Sequence, residues 1–255
     1  MQVENEDFLE EPKMSLKEVS MKNKLLVLNM KMYMEPNNIK EFIESVEDSD
    51  NVIICPEAIY IPYFINKYKN IGIQNVYHKS SGAYTGCNSV LHAKKLGAGY
   101  AIVGHSECRE YLNITDEIVN KQIKCAVDNN MIPIMCIGES LDDKVSSNSK
   151  KVIKKQIIDG LKGIKCDRII IAYEPVYAIG TGDTLSKSDI IDAVSYIKEV
   201  LNETLVNASI IYGGSVNADN LSDLLTINSL DGFMVGKSSC SKEEVIKMMK
   251  LLSSN

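Results

Sequence analysis

The chain of 255 residues has no tryptophan, three scattered histidines and no Cys-x-x-Cys pair. With no paired-cysteine or His-x-x-x-His spacing, there is no metal-ligand pattern to read. Lysines and arginines number 28 against 34 acidic residues, and no basic block interrupts that balance. Sequence-independent nucleic-acid binding therefore has no electrostatic basis. No apolar run approaches the roughly 18 residues that a membrane span needs. The N-terminus has neither the basic-then-apolar profile of a secretory signal nor the acid-poor profile of a transit peptide. The seven cysteines are odd in number, in a chain large enough to fold without disulfides, which predicts free thiols in a reducing cytosol. In that compartment the Asn-x-Ser/Thr sites at Asn113, Asn202 and Asn207 carry no glycosylation meaning.

What is present is the ordinary balance of a globular protein, 45% hydrophobic and 24% charged. Residues 1–20 stand apart: Glu4, Glu6, Asp7, Glu10, Glu11 and Glu18 crowd a segment with two lysines and no sustained periodicity. This predicts an acidic, disordered extension, or residues upstream of a start at Met14 or Met21, with one domain over 21–255. From Met21 onward, short apolar runs alternate with amphipathic stretches. The strand candidates are Leu25–Asn29, Asn51–Cys55, Ile73–Val76, Tyr100–Val103, Ile132–Ile137, Arg168–Tyr173, Ser209–Tyr212 and Gly232–Val235. Between them, Ile39, Phe42, Ile43 and Val46, and later Ile190, Val194, Ile197 and Leu201, have helical spacing. Ser241 and Glu244 have capping-box spacing before a last helix through Val245, Met248, Met249 and Leu252. Strands that are apolar throughout, rather than alternating, are covered on both faces. Eight such units in about 235 residues favour closure into a single-domain (β/α)8 barrel over an open doubly wound sheet.

That architecture puts function where strands end. The first strand ends at Asn29, with Lys31 two residues on, so both polar groups can enter one site. Gly104-His105-Ser106-Glu107 follows the fourth strand, and Cys136-Ile137-Gly138-Glu139 closes the fifth. The sixth ends in Tyr173-Glu174-Pro175, followed by Val176-Tyr177-Ala178-Ile179-Gly180-Thr181-Gly182. The last two end in Tyr212-Gly213-Gly214-Ser215 and Gly236-Lys237-Ser238. A carboxylate, an imidazole and an ammonium thus converge with Gly-containing turns suited to an anion. The run from Gly232 to Ser238 imitates a P-loop, but it has three residues between the glycines where the nucleotide motif has four. His105 reads as functional and His78 and His92 as structural. Glu174 reads as a base whose surroundings raise its basicity, rather than as a helix ion pair. Pro175 to Leu185, including Asp183 and Thr184, reads as a mobile lid rather than a linker.

These motifs, in this order from Met21 to Asn255, resemble the triosephosphate isomerase family, itself a standard worked case of pKa tuning and lid closure. The resemblance implies a TIM barrel that interconverts dihydroxyacetone phosphate and D-glyceraldehyde 3-phosphate through an enediolate. No cofactor or metal is implied, and the setting is cytoplasmic glycolysis and gluconeogenesis. Glu174 would move the proton, and a neutral His105 would polarise the carbonyl. Lys31 and Asn29 would meet the substrate, with Glu107 fixing Lys31. Gly180, Ser215, Gly236 and Lys237 would hold the phosphate. Gln74, Asn75 and the run Gly82-Ala83-Tyr84-Thr85-Gly86 resemble the family's dimer loop, so Gln74, Asn75, Tyr84, Thr85, Cys87 and Cys108 are expected at a homodimer contact, with Thr85 reaching the partner's Asn29 region.

The chain departs from the family at four places. Tyr177 stands for a usual Trp, Asp183 for a common Lys, and Lys237 for a second Gly. Cys87 and Cys108 replace a Glu and an Arg that pair near the subunit contact. Losing both charges together avoids stranding one of them, and predicts that the two thiols face each other, within or across subunits. The rival readings are an isomerase of a longer sugar phosphate such as a tetrulose phosphate, a catalytically silent barrel used for binding, and a phosphate-binding lyase or synthase.

Overall fold

A computed structural model describes residues 24–178, 184–204 and 206–254. The extension expected over residues 1–20 lies outside the described residues, as do Ile179 to Asp183 of the expected lid. Eight strands form: β1 (Leu25–Asn29), β2 (Val52–Cys55), β3 (Gly72–Ile73), β4 (Tyr100–Val103), β5 (Ile132–Ile137), β6 (Ile169–Tyr173), β7 (Ala208–Tyr212) and β8 (Gly232–Val235). They pair in parallel in the order β2-β1-β8-β7-β6-β5-β4-β3. A parallel bridge between Ile54 and Ile71, with the Ile54 N–H donating to Asn70 O at 2.9 Å, joins β2 to β3 and closes the sheet. The molecule is a single-domain (β/α)8 barrel whose thinnest seam lies at β2–β3.

The register of side chains separates two apolar layers. Val27, Ile53, Ile102, Ile134, Ile170, Ile211 and Met234 point into the barrel. Their strand neighbours, such as Leu26, Leu28, Ile171, Ile210 and Phe233, point outward against the helices. A strand buried on both faces gains at every position, about 1.5–3 kcal/mol for each large apolar side chain, so near-continuous hydrophobicity is what the barrel wall selects.

The main outer helices are α1 (Pro36–Ser45), α2 (Ile61–Phe64), α3 (Val90–Lys95), α4 (Ser106–Tyr111), α5 (Asp116–Asp128), α6 (Leu141–Val145), α7 (Ser149–Leu161), α8 (Lys187–Leu201), α9 (Leu221–Leu224) and α10 (Lys242–Ser253). Ile39 and Phe42 of α1, and Ile190, Val194, Ile197 and Leu201 of α8, are buried as their spacing predicts. The start of α10 differs in detail. The Ser241 hydroxyl accepts from the Glu244 N–H at 3.3 Å, but the Glu244 carboxylate accepts from the Ala218 N–H at 3.1 Å instead of returning to Ser241. The capping box is half made because the carboxylate ties α10 to the loop after β7. A second difference is β3, expected over Ile73–Val76 and observed at Gly72–Ile73. Beyond Ile73, side-chain amides capture the backbone: Gln122 donates to Val76 O and Asn88 to Asn75 O.

Candidate active site

The top interior layer of the barrel is built by strand parity. Two residues beyond the inward Val27, Cys136, Ala172, Ile211 and Met234 stand Asn29, Gly138, Glu174, Gly213 and Gly236. The ladder pairs Tyr173 with Ile137 on one side and Tyr212 on the other, so the next residue, Glu174, lies between Gly138 and Gly213. Both glycines are required by close approach. A Cβ on Gly213 would sit 2.6 Å from Glu174 Cγ, and one on Gly138 would sit 1.9 Å from the Glu174 carbonyl oxygen. Gly213 therefore makes room for the carboxylate, and Gly138 for the Glu174 backbone. Gly236 faces Lys31, where a Cβ would meet Lys31 Cε at 3.5 Å.

His105 breaks the parity. Simple alternation along β4 would place it on the outer face with Ala101 and Val103. Gly104, at φ +67°, turns the chain so that His105 becomes the residue capping α4. There its Nδ1 accepts from the Glu107 N–H at 3.3 Å, so a neutral ring carries its proton on Nε2. That Nε2 lies 3.5 Å from Glu174 Oε2. His105 and Glu174 are 3% and 4% exposed, and among the described residues neither facing atom has a hydrogen-bond partner. Buried polar atoms left without partners are rare and mark sites that something else completes.

Lys31 completes the cluster. Its backbone is left-handed, at φ +49°, and its ammonium bonds Glu107 Oε1 at 2.8 Å. Its N–H donates to Asn29 Oδ1 at 3.3 Å. The structure thus brings together Asn29, Lys31, His105, Glu107 and Glu174, all predicted for one site. His78 instead stacks on Tyr77, with ring centroids 4.2 Å apart, and His92 is exposed on α3.

The electrostatics correct one expectation. Burial acts to raise the Glu174 pKa, but His105, Cys136 and Lys31 together outweigh it, and the net direction is down. The expected rise is opposed because His105 and Lys31 both favour the charged carboxylate in its dry slot. Burial likewise acts to lower the His105 pKa, and Glu174 with Glu107 overcomes burial and Lys31 to raise it. The neutral ring expected from the family resemblance is thus opposed by Glu174, while the Nδ1 hydrogen bond from Glu107 favours it.

Two depressions are lined by residues of this cluster and its neighbours. One of about 330 Å³ is lined by Ser106, Arg109, Cys136, Gly138, Glu174 and Val176. The other, of about 620 Å³, is lined by Asn29, Lys31, Gln74, His105, Glu107 and Cys108, among others. The turn after β7 approaches the lid: Ser215, at φ +45°, donates from its hydroxyl to Ala178 O at 2.5 Å. Among the described residues, the backbone N–H groups of Ser215, Gly236 and Lys237 have no acceptor, and Lys237 is exposed.

At the near end of the lid, Val176-Tyr177-Ala178 forms a single 3-10 turn after Pro175. The Tyr177 hydroxyl donates to Glu139 Oε1 at 3.2 Å, beside the Tyr173 hydroxyl at 3.1 Å. At the far end, beyond Thr184, the Leu185 N–H donates to the Tyr212 hydroxyl at 3.3 Å. Gly180, expected to bind phosphate, lies outside the described residues, as do Ile179, Thr181, Gly182 and Asp183. The roles of Gly138, Gly213, Glu139 and Tyr212 were not assigned from sequence. Inward parity at the strand ends was the available signal for the two glycines.

The residues expected at a dimer contact divide. Tyr84, Thr85 and Cys87 lie on a loop exposed from 81 to 87, and Cys108 is half-buried. Gln74 turns inward, donating to Lys31 O at 2.8 Å and Cys55 O at 3.0 Å, and Asn75 Oδ1 accepts from Gln122 at 3.1 Å.

Comparison with known proteins bears on this arrangement. Residues 24–252 match the family model described as triosephosphate isomerase. A triosephosphate isomerase of Dictyoglomus thermophilum is 36% identical over 248 residues, covering 90% of this chain and 100% of the relative. One of Alkaliphilus oremlandii is 37% identical over 221 residues, covering 82% and 89%. One of Clostridium botulinum is 36% identical over 219 residues, covering 81% and 88%.

Proposed function

The chain belongs to the triosephosphate isomerase family, and we propose that it interconverts dihydroxyacetone phosphate and D-glyceraldehyde 3-phosphate, in glycolysis and gluconeogenesis. The observation that carries the reading is the pair of buried, unpartnered atoms Glu174 Oε2 and His105 Nε2, 3.5 Å apart at the barrel mouth. An α-hydroxycarbonyl that parts the two side chains satisfies both, its C–H toward the carboxylate and its carbonyl oxygen toward the ring N–H.

In the forward step Glu174 takes a proton from the hydroxymethyl carbon. The C–H electron pair becomes the carbon–carbon double bond, and the carbonyl electrons move to oxygen. His105 Nε2–H stabilises that oxygen, and the substrate itself separates the ring from the carboxylate that raises its pKa. His105 Nε2 gives its proton to that oxygen and takes the one on the neighbouring hydroxyl. Glu174 returns its own proton to the former carbonyl carbon while the enediolate electrons close the aldehyde carbonyl. Lys31, held by Glu107, offsets the negative charge of phosphate and enediolate, with Asn29 beside it as a donor. The backbone N–H groups of Ser215, Gly236 and Lys237, with Gly180, cradle the phosphate. Lid residues 175–185 exclude water, which otherwise lets the enediolate expel phosphate.

A homodimer fits the surface. Met32 is 85% exposed and Tyr111 70%, with Tyr33, Ile59 and Leu112 nearby on the same depression. Apolar exposure of this kind marks a protein contact. Residues 21–255 are read as the catalytic domain and the cytoplasm as its setting. Seven free cysteines support a reducing compartment, and no helix among the described residues is long and apolar enough to cross a membrane.

Assay of the purified chain on both triose phosphates, beside Glu174→Gln, tests the reading. Turnover by wild type and a loss on the order of a hundredfold or more in the variant are expected. A folded wild type inactive on both trioses would overturn it.

A further inference from the structure

Lys31 occupies a backbone conformation that non-glycine side chains rarely adopt, at φ +49°, and it sits one residue past the hydrogen-bonded end of β1. Such a residue keeps its place only where its surroundings over-determine it. Two of the holds are direct, the Asn29 side chain on its N–H and Glu107 on its ammonium. The third reaches its carbonyl: Gln74 Nε2 donates to Lys31 O at 2.8 Å and, with its other proton, to Cys55 O at 3.0 Å. Gln74 thus ties the ends of β1 and β2 to the segment that leaves β3.

That segment has lost its ladder, since β3 ends at Ile73. What fixes it is a residue distant in sequence. Gln122, on the inner face of α5 and 1% exposed, donates from Nε2 to Asn75 Oδ1 at 3.1 Å and to Val76 O at 2.5 Å. Its Oε1 has no partner among the described residues, so Gln122 works here only as a double donor. A buried amide with half its capacity unused is an expensive way to fill space. Its two bonds instead fasten the residues immediately following Gln74.

We propose that Gln122 is a positioning residue for Lys31, acting through Asn75 and Val76 on Gln74 and through Gln74 on the Lys31 carbonyl. The inference rests on the reading of Lys31 as the cation that meets the substrate phosphate. Three amide side chains from α5, the β3 end and the segment between them set where that ammonium stands, although Gln122 touches neither Lys31 nor substrate.

The test uses Gln122→Met and Gln74→Met, singly and combined, because methionine keeps the volume and removes the donors. KM for glyceraldehyde 3-phosphate and the affinity for inorganic phosphate, the latter read by calorimetry without turnover, are measured well below each variant's Tm. Each single variant is expected to raise KM and weaken phosphate binding about fivefold or more, with kcat changing less. The double variant is expected to be no worse than the weaker single one, because both act on one path. Gln122→Asn, which keeps the amide but shortens its reach by one methylene, gives the same readout where Gln122→Met does not fold. Unchanged KM and phosphate affinity with a lowered Tm would make Gln122 merely structural and overturn the proposal. Multiplying effects in the double variant, or losses that track dissociation into monomers, would overturn it too. Inactivity of wild type would instead strike the reading on which the proposal rests.

Discussion

Glu174 and His105 each favour the charged form of the other. The carboxylate's pKa is lowered against burial, and the imidazole's is raised against burial, with the partner as the chief opposing influence on both sides. The stability their interaction contributes is present above the ordinary carboxylate range and lost as pH falls through the lowered Glu174 pKa. On the other side it is present below the ordinary imidazole range and lost as pH rises through the raised His105 pKa. Replacing Glu174 by Gln removes the negative charge that lifts the ring. NMR titration of His105 is therefore expected to show a lower midpoint in Glu174→Gln than in wild type. An equal or higher midpoint would assign the raised pKa to another group. The same variant thus separates two contributions of one residue, proton transfer in the assay and charge in the titration.

At the level of elements, the lid is anchored at both described ends to neighbouring strand ends. Glu139, buried after β5, receives hydroxyls from Tyr173 and Tyr177, and its own carbonyl accepts from the Val176 N–H at 3.0 Å. The Lys144 ammonium lies 4.5 Å from the centre of the Tyr177 ring. Tyr177, where the family usually has Trp, therefore keeps both the aromatic face and a hydrogen-bond donor. Tyr177→Phe keeps the ring and removes one donor, at a cost of about 0.5–1.5 kcal/mol, since Glu139 Oε1 keeps the Tyr173 hydroxyl. We expect kcat to fall about tenfold, with a larger fraction of turnovers ending in release of inorganic phosphate, measured directly in the reaction mixture. An unchanged ratio of phosphate release to isomerisation would show that this bond does not hold the lid closed.

For the whole molecule, the exposed loop 81–87 and the apolar patch around Met32 and Tyr111 form the face on which we place the second chain. Cys108 lines the same depression as Gly86 and Asn88, the neighbours of exposed Cys87, so both thiols belong to this face. Sedimentation is expected to give a two-chain particle that thiol-reactive reagents dissociate in wild type and spare in the Cys87→Ser/Cys108→Ser variant. Equal sensitivity of the two proteins would remove these thiols from the contact.

The sequence by itself determined the strands, because a barrel wall buried on both sides demands short, continuously apolar runs, and Leu25–Asn29, Tyr100–Val103, Ile132–Ile137 and Gly232–Val235 have the predicted bounds. It also determined which polar residues end those strands, since parity after β1 and β6 carries Asn29 and Glu174 inward. Tertiary structure decided what parity could not. His105 reaches the mouth only because Gly104 reverses the alternation, and β3 stops at Ile73 because Gln122 and Asn88, distant along the chain, take over its backbone partners. The direction of the Glu174 pKa was likewise beyond a strand-end argument. Burial was legible and pointed up, but the sign depends on His105 lying 3.5 Å away, a distance set only when eight strands close into a ring.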